Sequence, residues 1–182
     1  MKSIQLIFDG ISEVAGCNGL VVLRLTDTEK KRCLGIICDE MMKTQIGIRN
    51  VPIDVRNKFL PEVMMQMMAE MNDKISYRID ITGIANGEYK TMITNMHTFS
   101  QYCIRLSDAI LFSIISGTLI FIDEQLMLKQ SSPYSENQMQ MPIPINSLDT
   151  KKLQEELDKA INSENYRLAS HLKEELDKRK NS

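Results

Sequence analysis

Ile104-Arg105-Leu106-Ser107-Asp108-Ala109-Ile110-Leu111-Phe112-Ser113-Ile114-Ile115, followed by Gly117-Thr118-Leu119-Ile120-Phe121-Ile122, is the stretch whose reading decides the fold. An extended segment turns there into a nearly all-apolar helix, and such a helix belongs inside a domain. Ser107 or Asp108 is the predicted N-cap, because a short side-chain oxygen at that position accepts one of the unpaired N–H groups of the first turn. Gly117 supplies a C-terminal stop, and residues 118–122 read as a buried strand. Arg105, Ser107 and Asp108 place three polar side chains where strand gives way to helix. Two readings fit them: a capped core helix with an arginine–carboxylate pair, or a catalytic or ligand-binding site.

Outward on the N-terminal side, Ile75, Tyr77, Ile79 and Ile81 alternate with Ser76, Arg78, Asp80 and Thr82, the period of a half-buried strand. Asn86-Gly87 is a favoured pair for a tight hairpin turn, and residues 88–96 return as the partner strand. Earlier still, residues 20–26 and 33–38 are apolar strands joined by the polar loop 27–31, and residues 3–8 form a first strand that stops at the turn signal Asp9-Gly10. Asp39 and Glu40 open a short helix over 40–47, where carboxylates complement the helix dipole. Residues 50–57 read as a loop around Pro52. A helix follows over 61–72, and its stripe of Val63, Met64, Met67, Met68 and Met71 is expected to pack into the core.

On the C-terminal side, residues 129–146 are polar, carry three prolines and lack periodicity, which reads as a linker. Beyond it, Leu153, Leu157, Ala160 and Ile161 recur at helical spacing. Asn162-Ser163 interrupts them, with Ser163 able to cap a second helix, and Tyr166, Ala169, Leu172 and Leu176 form another stripe. The pattern predicts an antiparallel helical hairpin. Two short helices expose too much apolar surface to stand alone, so the stripe needs its own domain, a second copy or another protein. The resulting division is an α+β domain over 1–128, a linker over 129–146 and a hairpin over 147–182.

At 182 residues and 43% hydrophobic content the chain builds one main domain with an appendage. No run of about 18 apolar residues is present, so no bilayer span is expected, and the N-terminal residues read as a strand, not a signal peptide. Cys17, Cys33, Cys38 and Cys103 are scattered, with only His97 and His171 as imidazoles, a spacing that makes no zinc site and fits the reducing cytoplasm. The net charge of −2 is spread evenly, with no basic surplus of the kind that grips duplex nucleic acid.

Residues 1–128 resemble the bifunctional nuclease (BFN) domain family. The likeness is carried by Leu34-Gly35-Ile36, by the hairpin over 75–96, and by the segment from Ile104 to Ile110 followed by Leu119-Ile120-Phe121-Ile122-Asp123-Glu124. The resemblance implies an α+β fold with a wrapped mixed sheet, commonly dimeric, and nuclease activity on DNA and RNA. The family carries Arg-Pro-Ser-Asp where this chain has Arg105-Leu106-Ser107-Asp108, and a histidine-containing segment where this chain has Arg56-Asn57-Lys58-Phe59-Leu60-Pro61-Glu62-Val63. Residues 148–180 resemble the UVR motif of UvrB and UvrC at Leu153, Leu157, Ala160, Glu164, Tyr166, Ala169, Leu172, Glu174 and Glu175, a hairpin that pairs with a similar hairpin on a partner.

Phosphodiester hydrolysis needs an activated water, charge stabilisation on the phosphoryl oxygens and help for the leaving oxygen. Arg105, Ser107 and Asp108 are the candidate catalytic residues, with Arg105 as phosphate clamp. Asp108, Asp123 and Glu124 are the candidate ligands for Mg²⁺ or Mn²⁺, with Asp39 and Glu40 as further acids; no organic cofactor is expected. The competing expectation is a non-catalytic dimeric platform. It docks a protein through Leu153, Leu157, Tyr166, Ala169, Leu172 and Leu176, and the balanced tail charge suits protein contacts better than nucleic acid.

Overall fold

The computed structural model describes residues 2–13, 20–71, 76–85, 87–136, 150–164 and 166–180. Cys17, Ile75, Asn86 and most of the expected linker lie outside them. Eight strands form one mixed sheet: β1 (Ser3–Glu13), β2 (Leu20–Asp27), β3 (Arg32–Asp39), β4 (Tyr77–Ala85), β5 (Glu88–Asn95), β6 (Gln101–Ile104), β7 (Leu119–Asp123) and β8 (Ser132–Pro133), in the spatial order β6-β5-β4-β7-β1-β2-β3-β8.

Two antiparallel meanders, β1-β2-β3 and β4-β5-β6, are joined by β7, which runs antiparallel to β1 and parallel to β4. Because β6 runs in the same direction as β7, a tight turn cannot connect them, and a crossover helix must. That helix is α4 (Leu106–Ser116). Its isoleucines favour strands in isolation, yet Leu106, Ala109 and Ile110 are buried in the main core with Leu23, Leu34, Ile79, Ile81, Ile120 and Ile122. Gly117 ends it as expected, at φ 73, a conformation a residue with Cβ adopts only under strain. The Gly117 N–H donates to Ser113 O at 2.8 Å, and the Ser113 hydroxyl donates to Thr118 O at 2.6 Å, which ties the helix end to the entry of β7.

Several expectations are corrected. Asp9-Gly10 does not turn the chain: β1 continues through it with a bulge between Phe8 and Gly10, and Gly10 sits at φ 133. The bulge brings Asp9 Oδ2 to 2.9 Å from Arg24 Nη2 on β2, a largely buried contact. Residues 50–57 are not all loop, since α2 (Ile53–Arg56) forms after Pro52 presets the backbone. In α3 (Leu60–Met71) the methionine stripe is not core: Met64 and Met67 are 52% and 59% exposed. The buried group there is Glu62, whose Oε2 accepts from Arg49 Nη2 at 2.7 Å beyond the end of α1 (Glu40–Ile48). The expected linker opens as structure: Lys129 belongs to α5 (Glu124–Gln130), and β8 pairs with β3 at Arg32 and Cys33. Arg32 fixes that edge, its Nε donating to Ser131 Oγ at 2.6 Å.

The C-terminal residues form the two expected helices, α6 (Thr150–Asn162) and α7 (Tyr166–Lys180). Ser163 does not cap α7; its hydroxyl donates back to Ala160 O at 3.2 Å, and Glu164 at φ 58 reverses the chain. Among the described residues no helix is long and apolar enough to cross a membrane.

Candidate functional site

A cleft of about 590 Å³ opens where the N-terminus of α1, the N-terminus of α4 and the start of β5 meet. Asp39 ends β3 and caps α1, its Oδ1 accepting from the Met42 N–H at 2.9 Å. The expected cap of α4 is corrected. Arg105 holds the cap position with extended backbone and no side-chain cap bond, so Ser107 and Asp108 fall within the first turn. Three residues apart, Arg105 and Asp108 share one face of the helix, and Arg105 Nε donates to Asp108 Oδ2 at 2.6 Å. Arg105 remains 76% exposed while Asp108 is 32% exposed, so the carboxylate lies deeper in the cleft than the guanidinium it steers.

The hydrogen bond to Asp108, then the Asp108 charge, raise the Arg105 pKa, and Asp39 and Glu88 add to the effect. Arg105 is therefore the cation among three acids that come from distant parts of the chain. Ser107 also lines the cleft. Cys38 does too, but burial, with the charges of Asp39 and Glu40, pushes its thiol up to about 12, so it stays protonated and is no nucleophile near neutrality.

Asp123 and Glu124 are not among the residues lining this cleft. Asp123 caps α5, accepting from the Leu126 N–H at 3.0 Å, and Glu124 pairs with Lys2 at 2.7 Å. Among the described residues no three His, Cys, Asp or Glu side chains stand close enough to hold a metal ion. One Asp39 oxygen is committed to the α1 cap and one Asp108 oxygen to Arg105, so the donor set does not fit a ready divalent-cation cage.

Glu88 and Tyr89 are the cleft residues that sequence reasoning missed. Tyr89 lines the cleft, and its hydroxyl is buried with no hydrogen-bond partner among the described residues. Burial, then the charge of Glu175, holds the phenol well above its ordinary pKa, so it is a hydrogen-bond donor at any working pH. A signal existed: the alternation of β5 puts Tyr89 on the core face, where a phenol normally needs a partner.

In the hairpin, Leu153, Leu157, Ala160, Ala169, Leu172 and Leu176 bury one another. Tyr166, the remaining residue of the expected docking set, is 69% exposed, and Ile161 beside it in the turn region is 50% exposed.

The family model of the bifunctional nuclease domain matches residues 21–135. No curated protein matches the chain.

Proposed function

The chain belongs to the bifunctional nuclease domain family, and from that premise we propose that the cleft between α1 and α4 binds a phosphodiester of DNA or RNA and hydrolyses it. The observation that carries this reading is the meeting of Arg105, Ser107 and Asp108 with Asp39 and Glu88 around one open cleft. Arg105, with Nε held by Asp108, presents its remaining N–H groups to the non-bridging oxygens, where they offset the charge that builds during attack. Asp108 is a positioning residue for that guanidinium. Glu88, exposed at the start of β5, accepts the proton of the attacking water as its oxygen bonds to phosphorus; the ester P–O bond breaks, the leaving oxygen takes a proton from solvent, and the Ser107 hydroxyl gives a further hydrogen bond to the phosphate.

The test is cleavage of labelled single- and double-stranded DNA and RNA by the full chain, with Mg²⁺, with Mn²⁺ and with chelator. Wild type cuts in at least one arm. Arg105→Ala lowers kcat/KM by about 100- to 1,000-fold, the usual cost of one lost oxyanion donor. Equal rates for wild type and Arg105→Ala, or no cutting in any arm, sink the reading.

A second reading is favoured by the exposure of Tyr166 and Ile161. In it the α6–α7 hairpin acts as a UVR-type module that docks a protein partner on a dimeric platform, in a cytoplasm that keeps Cys33, Cys38 and Cys103 as free thiols.

A further inference from the structure

We propose that β6 is an interaction edge that pairs antiparallel with β6 of a second copy about a two-fold axis at Tyr102, and that each copy thereby sets its Phe99 beside the partner's Arg105 at the rim of the cleft. This goes beyond the reading above and does not rest on hydrolysis.

The ladder between β5 and β6 fixes which backbone groups of β6 are free. The Asn95 N–H donates to Ser100 O at 2.9 Å, so these two residues form a hydrogen-bonded pair. In an antiparallel ladder such pairs alternate with non-hydrogen-bonded ones. Ile93–Tyr102 and Thr91–Ile104 are therefore bonded pairs, while Thr94–Gln101 and Met92–Cys103 are not. The side chains agree: Cys103 Sγ lies 3.3 Å from Met92 Sδ, and Gln101 Nε2 lies 3.4 Å from Thr94 Oγ1, the closer approach of non-bonded pairs. Gln101 and Cys103 thus turn their N–H and C=O away from β5, and β6 ends the sheet on that side.

Apart from its shortness, nothing guards this edge. Gln101-Tyr102-Cys103-Ile104 carries no proline and no charge, its first three residues are exposed, and its register with β5 runs without a bulge. Charges, prolines and bulges are the usual protection of an edge strand against pairing.

A second copy fits because the edge is complementary to itself. A two-fold axis at Tyr102 sets Gln101 opposite the partner's Cys103 and Cys103 opposite the partner's Gln101, so every outward N–H meets an outward C=O. No like charges face each other. Tyr102, 57% exposed, meets the partner's Tyr102 at a non-hydrogen-bonded position, where aromatic side chains pack closely.

The same register carried beyond the strand ends brings Phe99 beside the partner's Arg105. Phe99 is 74% exposed at φ 58, a backbone that a bulky residue adopts only under strain. Its turn imposes that conformation. Asn95 Oδ1 accepts from the His97 and Thr98 N–H groups at 2.9 and 3.1 Å, and the Phe99 N–H donates to Asn95 O at 2.8 Å. An aromatic ring held out in this way offers its face to a cation, and the exposed guanidinium of Arg105 is one. The second copy contributes a residue to the cleft that a single chain lacks.

The experiment is disulfide cross-linking of the full chain at micromolar concentration, read on non-reducing gels after mild oxidation, in a Cys103→Ser background. Tyr102→Cys places two thiols across the axis, at the Cα separation of about 4.5 Å that a disulfide accepts. It gives a covalent dimer, whereas Gln101→Cys, several residues from its symmetry mate, gives no more than the background chain. In the same background, a mixture of Phe99→Cys and Arg105→Cys chains is joined by a short bis-maleimide, and neither chain alone is. Circular dichroism confirms that each variant, altered only at exposed positions, is folded.

Equal cross-linking at positions 101 and 102, or no dimer from Tyr102→Cys, overturns the edge pairing. A dimer at position 102 without the Phe99–Arg105 link overturns the delivery of Phe99 to the cleft. The gel reads this edge alone, so a contact between copies elsewhere on the surface does not imitate it. A chain that cuts no nucleic acid loses the hydrolytic reading and keeps this one.

Discussion

Arg49 and Glu62 are the polar pair on which the helical layer beside the cleft depends. Their side chains are 3% and 7% exposed, and Arg49 Nη1 also donates to Gln45 O at 2.7 Å, so one guanidinium ties the end of α1 to the first turn of α3. Burying two charges is expensive, and the pair recovers that cost only while both members are present. Glu62→Ala leaves the arginine charge stranded and lowers unfolding free energy by about 3–5 kcal/mol, measured by urea denaturation. Arg49→Met combined with Glu62→Leu recovers most of the loss, since the stranded charge is gone. A single substitution that costs less than about 1 kcal/mol shows that water reaches the pair and that the brace is weak. The same arithmetic explains why this contact was illegible in the sequence. Glu62 sits in the first turn of a helix, where a carboxylate is ordinary, and nothing local marks it as buried.

At the scale of elements, what was legible was what local chemistry alone determines. The β4–β5 hairpin, the β2–β3 hairpin, the helix start at Asp39-Glu40 and the Gly117 stop follow from period-two alternation, turn residues, carboxylates at a helix start and a left-handed backbone. Long-range packing set the rest. Asp9-Gly10 bulges because β1 stays paired with β2 on both sides of it, and the Met64–Met67 face stays exposed because Glu62 takes the buried side of α3. In the site, Arg105 and Asp108 were readable as neighbours, while Glu88 and Tyr89 joined them only through the sheet. The hairpin shows the same division. Its stripes were legible, but packing turns them inward, so that Leu172 at 1% exposure is part of the hairpin's own core and cannot also be a free docking surface. Tyr166→Glu therefore separates docking from folding. If the hairpin recruits a partner through its turn, this substitution abolishes capture by pull-down and leaves helical circular dichroism unchanged. Leu172→Glu loses capture and helicity together. Capture by Tyr166→Glu at the wild-type level would remove the docking role from this surface.

For the whole molecule, several of the exposed apolar side chains fall together on one stretch of chain. Ile53, Leu60, Met64 and Met67 on α2 and α3 are 60%, 70%, 52% and 59% exposed, and Val55 and Phe59 between them add to the same stretch of chain. So concentrated an apolar surface is seldom left to water, and such surfaces commonly meet a partner. A second copy is the occupant that the platform reading supplies, and an isologous pairing would place each α3 against the other about a two-fold axis. Methionines suit that contact, because an unbranched thioether adapts to a self-complementary surface. The sheet core is on the other side of the helical layer, and the buried Arg49–Glu62 contact fixes α3 from within, so charges placed on the outer face leave the fold intact. If two copies pair through this face, Leu60→Asp with Met64→Glu converts the dimer to a monomer in sedimentation equilibrium at micromolar concentration, with thermal unfolding of the monomer still cooperative. A wild-type chain that sediments as a monomer at every concentration would show that this face serves some other contact. A double variant that remains dimeric would place the two-fold axis elsewhere.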